Sequence, residues 1–205
     1  MPEPLHIEPV TLEGAHVRLE PLSMAHYAHL SQVGLDEELV KITQAYAPTP
    51  DGLRAYIEKA LQRQADGTAL PFAVIAKAVG RAIGSSRYAA IDRTNRRLEI
   101  GWTWYGRAFQ RTVVNTECKY LLLRYAFETL GCISVEFKTD VLNERSRAAL
   151  LRIGAKEEGV LRHHQIMPDG RLRDTVYFSI INYEWPQVKA RLEGLLVRSD
   201  PVGSA

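Results

Sequence analysis

The stretch from Leu98 to Gly154 constrains this chain more than any other. The strand LEIGWTW leads through the loop YGRAFQRTVVNT into the helix ECKYLLLRYAFETLG, then the strand SVEFKTD and the helix NERSRAALLRIG. One helix opens just past the first strand and another just past the second. Such a βαβ arrangement aims backbone N–H groups from two helix starts at a shared crevice, which makes a ready anion site.

The remaining segments predict an α+β chain with a mixed sheet. HVRLEPL (His16 to Leu22) alternates like a strand that ends at Pro21. Ser23 reads as the N-cap of a helix through Met24, Tyr27, Leu30 and Val33, and Thr49-Pro50-Asp51 as a second helix start. That second helix closes near Asp66-Gly67. PFAVIAKAVGRAIGSSRYAAID reads as two strands around a turn near Val79-Gly80-Arg81. AKEEGVLRHHQIM and RLRDTVYFSIINY form a terminal hairpin joined by Pro168-Asp169-Gly170. One domain is expected over 12–183, followed by a C-terminal helix and frayed tail over 184–205.

A chain of 205 residues, 46% hydrophobic and 24% charged, is large enough for one proper core. Its net charge of +2 gives no strong pull toward nucleic acid or an acidic membrane. Cys118 and Cys132 lack zinc-ligand or CxxC spacing and read as reduced packing residues. No segment reads as a signal peptide or approaches the ~20 apolar residues of a membrane span, so a cytoplasmic protein is expected. No His/Cys/carboxylate cluster points to a metal.

Chemistry starts in the loop Gln110-Arg111-Thr112-Val113-Val114-Asn115-Thr116, ahead of an apolar helix. First-turn amides and the helix dipole suit a pyrophosphate, although a plain strand-to-helix turn has the same outline. Asn143-Glu144-Arg145-Ser146, with Leu150 and Gly154-Ala155 behind it, opens the second helix. Asn143 is a good N-cap with or without a ligand.

These segments together resemble the GNAT N-acetyltransferases, specifically the RimJ/RimL-like branch of ribosomal-protein N-terminal acetyltransferases and their relatives. Gln110 matches the first position of the superfamily's Q/R-x-x-G-x-G/A phosphate loop, while Val113 and Asn115 occupy its two glycine positions. The Asn143 segment resembles N-x-x-S-x-x-x-L-x-x-x-G-F. Gly154 to Arg162 with Asp169-Gly170 and Asp174, the opening Gly14 to Leu22, and Glu99-Ile100-Gly101-Trp102 extend the likeness over roughly residues 12 to 183.

The resemblance implies the GNAT acyl-CoA fold, three layers with a mixed central sheet. It also implies acetyl-CoA as cosubstrate without a metal, and a primary amine as acceptor, either a protein N-terminus or a small molecule. Gln110 to Thr116, Asn143 and Ser146 are then the CoA-binding residues. Glu99 becomes the candidate base, tuned by burial beside Trp102 and Trp104; the plainer alternative is a carboxylate paired with Arg96 or Arg97. Ser146 becomes the donor to the CoA sulfur, with a first-turn backbone role as the alternative. The tyrosine acid common in the superfamily is replaced by Leu150.

His163 and His164 sit side by side on a strand and should face opposite ways. Asp36, Glu37 and Glu38 either attract an ammonium substrate or form a solvated helix end. By analogy the terminal strands build a homodimer. A GNAT-fold module that binds acyl-CoA without turnover, or a structural dimer, remains the alternative function.

Overall fold

A computed structural model describes residues 4–41 and 45–199. Among the described residues eight strands form one sheet: β1 (Leu12–Glu13), β2 (Val17–Pro21), β3 (Leu70–Ala76), β4 (Arg81–Asp92), β5 (Arg97–Tyr105), β6 (Ser134–Asp140), β7 (Lys156–Ile166) and β8 (Leu172–Ile181). Their order is β1-β2-β3-β4-β5-β6-β8-β7. Every neighbouring pair is antiparallel except β5 with β6, the two strands of the βαβ unit. The helices are α1 (Tyr27–Gly34), α2 (Glu37–Val40), α3 (Pro50–Ala65), α4 (Val113–Arg124), α5 (Glu144–Ile153) and α6 (Trp185–Ser199).

Local chemistry accounts for the helix ends. Thr49 accepts the Gly52 N–H at 3.0 Å and Pro50 opens the first turn, so α3 starts where the sequence predicts. Its buried face is Leu53, Tyr56, Ile57 and Ala60, spaced three and four apart. Thr112 caps α4, and Asn143 caps α5 by accepting the Ser146 N–H at 3.1 Å. α5 stops at Gly154, whose φ of +100° suits glycine. α4 runs on into a wider π-type turn, Tyr125–Thr129.

Helices cover both faces of the sheet. On one face α4, α5 and α6 close a core built on Leu19, Phe72, Tyr88, Leu98, Leu122, Phe137 and Phe178. On the other, α1 and α3 pack Leu30, Leu53 and Ile57 against Ile75 and Trp104. Each such fully buried side chain contributes roughly 1.5–3 kcal/mol. α6 belongs to the first core: Val188 and Leu192 are buried in it, and Trp185 Nε1 donates to Glu128 at 2.9 Å.

A clamp locks α4 to the start of the sheet. The buried Glu117 carboxylate accepts the N–H groups of Ala15, His16 and Val17, each at 2.7 Å. A Cβ on Gly14 would lie 2.5 Å from Glu117 Cδ, so the opening segment needs a glycine for that close approach.

Some expectations shift in detail. The first strand is shorter than His16–Leu22 and gains β1 as a partner. The helix after Ser23 begins as a 3-10 turn, Met24–His26, and α2 is an additional short helix capped by Asp36. Of the stretch 199–205 expected to fray, Ser199 is the last residue of α6, and residues 200–205 lie outside the described residues. No helix among the described residues is long and apolar enough to cross a membrane.

Candidate active site

The central feature is a parting of strands. β5 and β6 pair at Arg97–Ser134, Leu98–Val135 and Glu99–Glu136 only. Beyond Glu99, β5 stays with β4 as far as Tyr105, while β6 stays with β8 as far as Asp140. A wedge therefore opens in the sheet, and α4 and α5 follow directly from its two sides.

Gln110 ties the two sides together. Its Nε2 donates to the Tyr105 carbonyl at 2.9 Å, and its Oε1 accepts from Arg145 Nη2 at 2.6 Å. Thr112 accepts the Val114 N–H at 3.3 Å. Asn115 Oδ1 accepts from the Tyr105 hydroxyl at 3.3 Å. Arg111 carries the strained backbone of the loop, at φ +61°. Val113 is ordinary first-turn helix, so its position does not demand glycine's conformational freedom. Thr116 is buried and accepts from Arg152 at 2.9 Å. Arg145 and Arg152, which sequence reading passed over, bring two cations to the start of α4.

At the reacting end, Glu99 pairs with Lys138 at 3.0 Å rather than with either arginine. Arg97 instead binds Asp92 and Glu136, and Arg96 donates to the Gly131 carbonyl. The Glu99 carboxylate folds over Gly101, where a Cβ would come within 2.5 Å of Oε1. Lys138 stacks on the Tyr177 ring at 4.9 Å, and the His164 ring meets that of Tyr177 edge-on at 5.8 Å. Burial alone would push the Lys138 ammonium down, but Glu99 offsets this and holds it above its ordinary value. His163 departs from the expected alternation: it sits at φ +49° in a bulge of β7, its N–H held by Asp174 at 2.7 Å.

Lys119 is not singled out by the sequence. It projects from the apolar face of α4, is 7% exposed, and donates to Thr103 Oγ1 at 2.9 Å. Burial pulls its ammonium down to about 8, against smaller opposing effects of Cys118 and Glu99. Ser146 is half-buried at the start of α5, with no hydrogen bond to its hydroxyl among the described residues. Leu150 is a core residue, 6% exposed, so a hydrophobic contact replaces the tyrosine acid. Burial pushes the Cys118 and Cys132 thiols up to about 12, as suits packing residues. No group of three or more His, Cys, Asp or Glu among the described residues is placed to hold a metal.

On the sheet face covered by α3 lies a cavity of about 270 Å³, lined by Tyr46, Tyr56, Lys59, Arg63, Arg87 and Trp102 among others. Trp102 takes φ +55° in a bulge of β5, which turns its ring out to 39% exposure. In the acidic segment, Glu37 is exposed at the start of α2. Asp36 caps α2 and pairs with Arg107 at 3.0 Å, and Glu38 pairs with Lys41.

Residues 16–156 match the family model of the acetyltransferase (GNAT) domain. Over 95 residues the chain is 38% identical to "Putative ribosomal N-acetyltransferase YdaF" of Bacillus subtilis (strain 168), covering 46% of this chain and 51% of that protein. The structure of a GCN5-related N-acetyltransferase from Brucella melitensis is 33% identical, with a TM-score of 0.87 over 95% of this chain and 89% of the other. That of a putative acetyltransferase from T. thermophilus is 39% identical, with a TM-score of 0.84 over 94% of this chain and 100% of the other. The chain spans 51% and 66% of the lengths of the two curated relatives it matches.

Proposed function

The chain belongs to the acetyltransferase (GNAT) domain family, and we propose that it falls in the RimJ/RimL-like branch and moves an acetyl group from acetyl-CoA directly to a primary amine bound in the same complex. The parting of β5 from β6 beyond Glu99, flanked by the capped starts of α4 and α5, carries this proposal. Bound acetyl-CoA supplies a thioester carbonyl open to attack by an amine.

The residues present fit such a cosubstrate. The first turn of α4, the Asn115 amide and the charges of Arg111, Arg145 and Arg152 suit phosphate oxygens. Asn143 and Ser146 flank the start of α5, next to the other side of the wedge. Glu99 takes the proton that the amine sheds as its nitrogen bonds to the acetyl carbon. Ser146 donates to the sulfur as the bond between sulfur and that carbon breaks. Lys119, held near pH 8, is a second group able to exchange a proton under the parted strands. Holding both substrates in register supplies much of the rate.

The test is release of free CoA thiol from acetyl-CoA with and without primary amines, both peptide N-termini and small molecules. Amine-dependent release, with an N-acetylated product by mass, is expected. Acetyl-CoA binding without acetylation of any amine would instead favour a binding module on the same fold.

A homodimer is part of the same proposal. β7 is the outer edge strand, exposed throughout, with Val160, Leu161 and Ile166 among its exposed apolar side chains. Light scattering should return twice the chain mass of 23.1 kDa, and the single-chain mass would remove the dimer.

A further inference from the structure

Arg87 is the anomaly of the sheet. It lies mid-strand in β4, is 2% exposed, and forms no ion pair among the described residues. Its Nε and Nη2 are buried without a hydrogen-bond partner. The guanidinium rests against Tyr56 at 4.8 Å and Trp102 at 4.9 Å. Cation–π contact with two rings offsets part of its desolvation, but leaves the fork's own donors unused. Nε and Nη2 form one edge of the guanidinium, the edge that binds both oxygens of a carboxylate in parallel.

The surroundings share this bias toward anions. Arg87 lines the 270 Å³ cavity together with Lys59 and Arg63, and no carboxylate is among the lining residues. Tyr46, Tyr56 and Trp102 give it apolar walls. A volume of this order suits a small molecule rather than a folded partner. The cavity also adjoins the reacting end. Arg87 is paired directly opposite Gly101, and Ala89 opposite Glu99, so Arg87 and Glu99 share one face as diagonal neighbours, about 7–8 Å apart along the sheet. Lys138 and the half-buried Arg173 add positive charge beyond Glu99. A polycationic acceptor would meet repulsion on both sides.

We infer that the acceptor is a small amino carboxylate: Arg87 binds its carboxylate in the cavity under α3, and its amine is presented to Glu99. This rests on the acetyl-transfer proposal and names the substrate class for it. Lys59 and Arg63 draw the anion in, and the aromatic walls exclude water around the ion pair.

The test uses the full chain with acetyl-CoA and matched acceptors: glycine, β-alanine, 4-aminobutyrate and 6-aminohexanoate, each against its carboxamide. The short carboxamides have the less basic amines, so intrinsic reactivity at neutral pH runs against the expected preference. At least one acid should show kcat/KM tenfold or more above its amide. Arg87→Gln should bring that ratio toward one, mainly through KM, while acetyl-CoA still raises the unfolding midpoint. Should Arg87→Gln fail to fold, Arg63→Gln at the cavity rim should raise KM for the acid several-fold and leave the amide unchanged. Equal use of acids and amides, or a ratio that survives both substitutions, overturns the inference. Acetyl-CoA binding with transfer to other amines but to none of these acids overturns it too, and leaves the acetyl-transfer proposal intact. Absence of any stabilisation by acetyl-CoA removes that proposal, and the inference with it.

Discussion

Replacing Lys119 by methionine should reveal what burying its ammonium costs the fold. Its ammonium is held at about 8 against an ordinary 10.5. At roughly 1.4 kcal/mol for each tenfold change in proton affinity, keeping the charged form buried costs on the order of 3 kcal/mol. Because the folded-state value lies below the unfolded one, the unfolded chain binds the extra proton between about pH 8 and 10.5, and stability rises with pH across that window. Below about 8 both states are protonated and the penalty is fully present; above about 10.5 both are neutral and it vanishes.

Lys119→Met removes the penalty but also the bond to Thr103, itself worth roughly 1.5–3 kcal/mol as a charged hydrogen bond. The two nearly cancel at pH 7, so the informative quantity is the pH dependence. Urea unfolding of both proteins from pH 7 to 10.5 should show the wild type gaining on the variant by on the order of 3 kcal/mol. Other titrating groups are common to both and drop out of the difference. A difference that stays flat over this range would refute the assignment of a charged, desolvated lysine beneath the parted strands.

Asn143→Ala should cost about 1 kcal/mol of stability through the lost cap of α5 and also weaken CoA binding; the first effect without the second, in paired urea and binding titrations, would make Asn143 a cap alone. Glu99→Gln removes the ion pair with Lys138 but keeps the side chain's shape. It should lower kcat at least tenfold and change its pH profile while CoA affinity is kept, and a wild-type rate would end its role as base.

Local signals carried much of the fold. Thr49-Pro50, Asn143 and Gly154 act through their own backbone neighbourhood, and each helix boundary they predict is present; α4, expected from Glu117, instead starts at Val113, capped by Thr112 inside the expected loop. The Gln110 and Asn143 segments, far apart in sequence, are joined through the bond from Arg145 to Gln110. The non-local features were hidden. That β5 and β6 pair for only three residues before separating depends on two different antiparallel partners, β4 and β8, which no short pattern encodes.

Lys119 sat within an apolar helical stripe, and its bond to Thr103 exists only because β5 bulges at Trp102. Trp102 and Trp104, two rings that the sequence places together beside Glu99, both lie against Tyr56 instead. Trp104 packs with Tyr46 and Tyr56 under α3, whereas Trp102 flanks Arg87. Arg87 lies unmarked within the predicted strand segment GSSRYAA, and the cover of α3 makes it a buried cation.

Thermal and urea unfolding with saturating acetyl-CoA, free CoA and an adenine-nucleotide control tests the central claim most directly. A ligand at about 100 times its dissociation constant adds roughly 2.7 kcal/mol of stability, readily visible as a raised midpoint. Acetyl-CoA and CoA should both raise it well beyond the control, in keeping with a wedge that takes the pantetheine arm as well as the phosphates. No shift with either, at saturating concentration, would mean that the loop from Gln110 to Thr116 is closed to phosphate and that the parted strands hold no acyl-CoA.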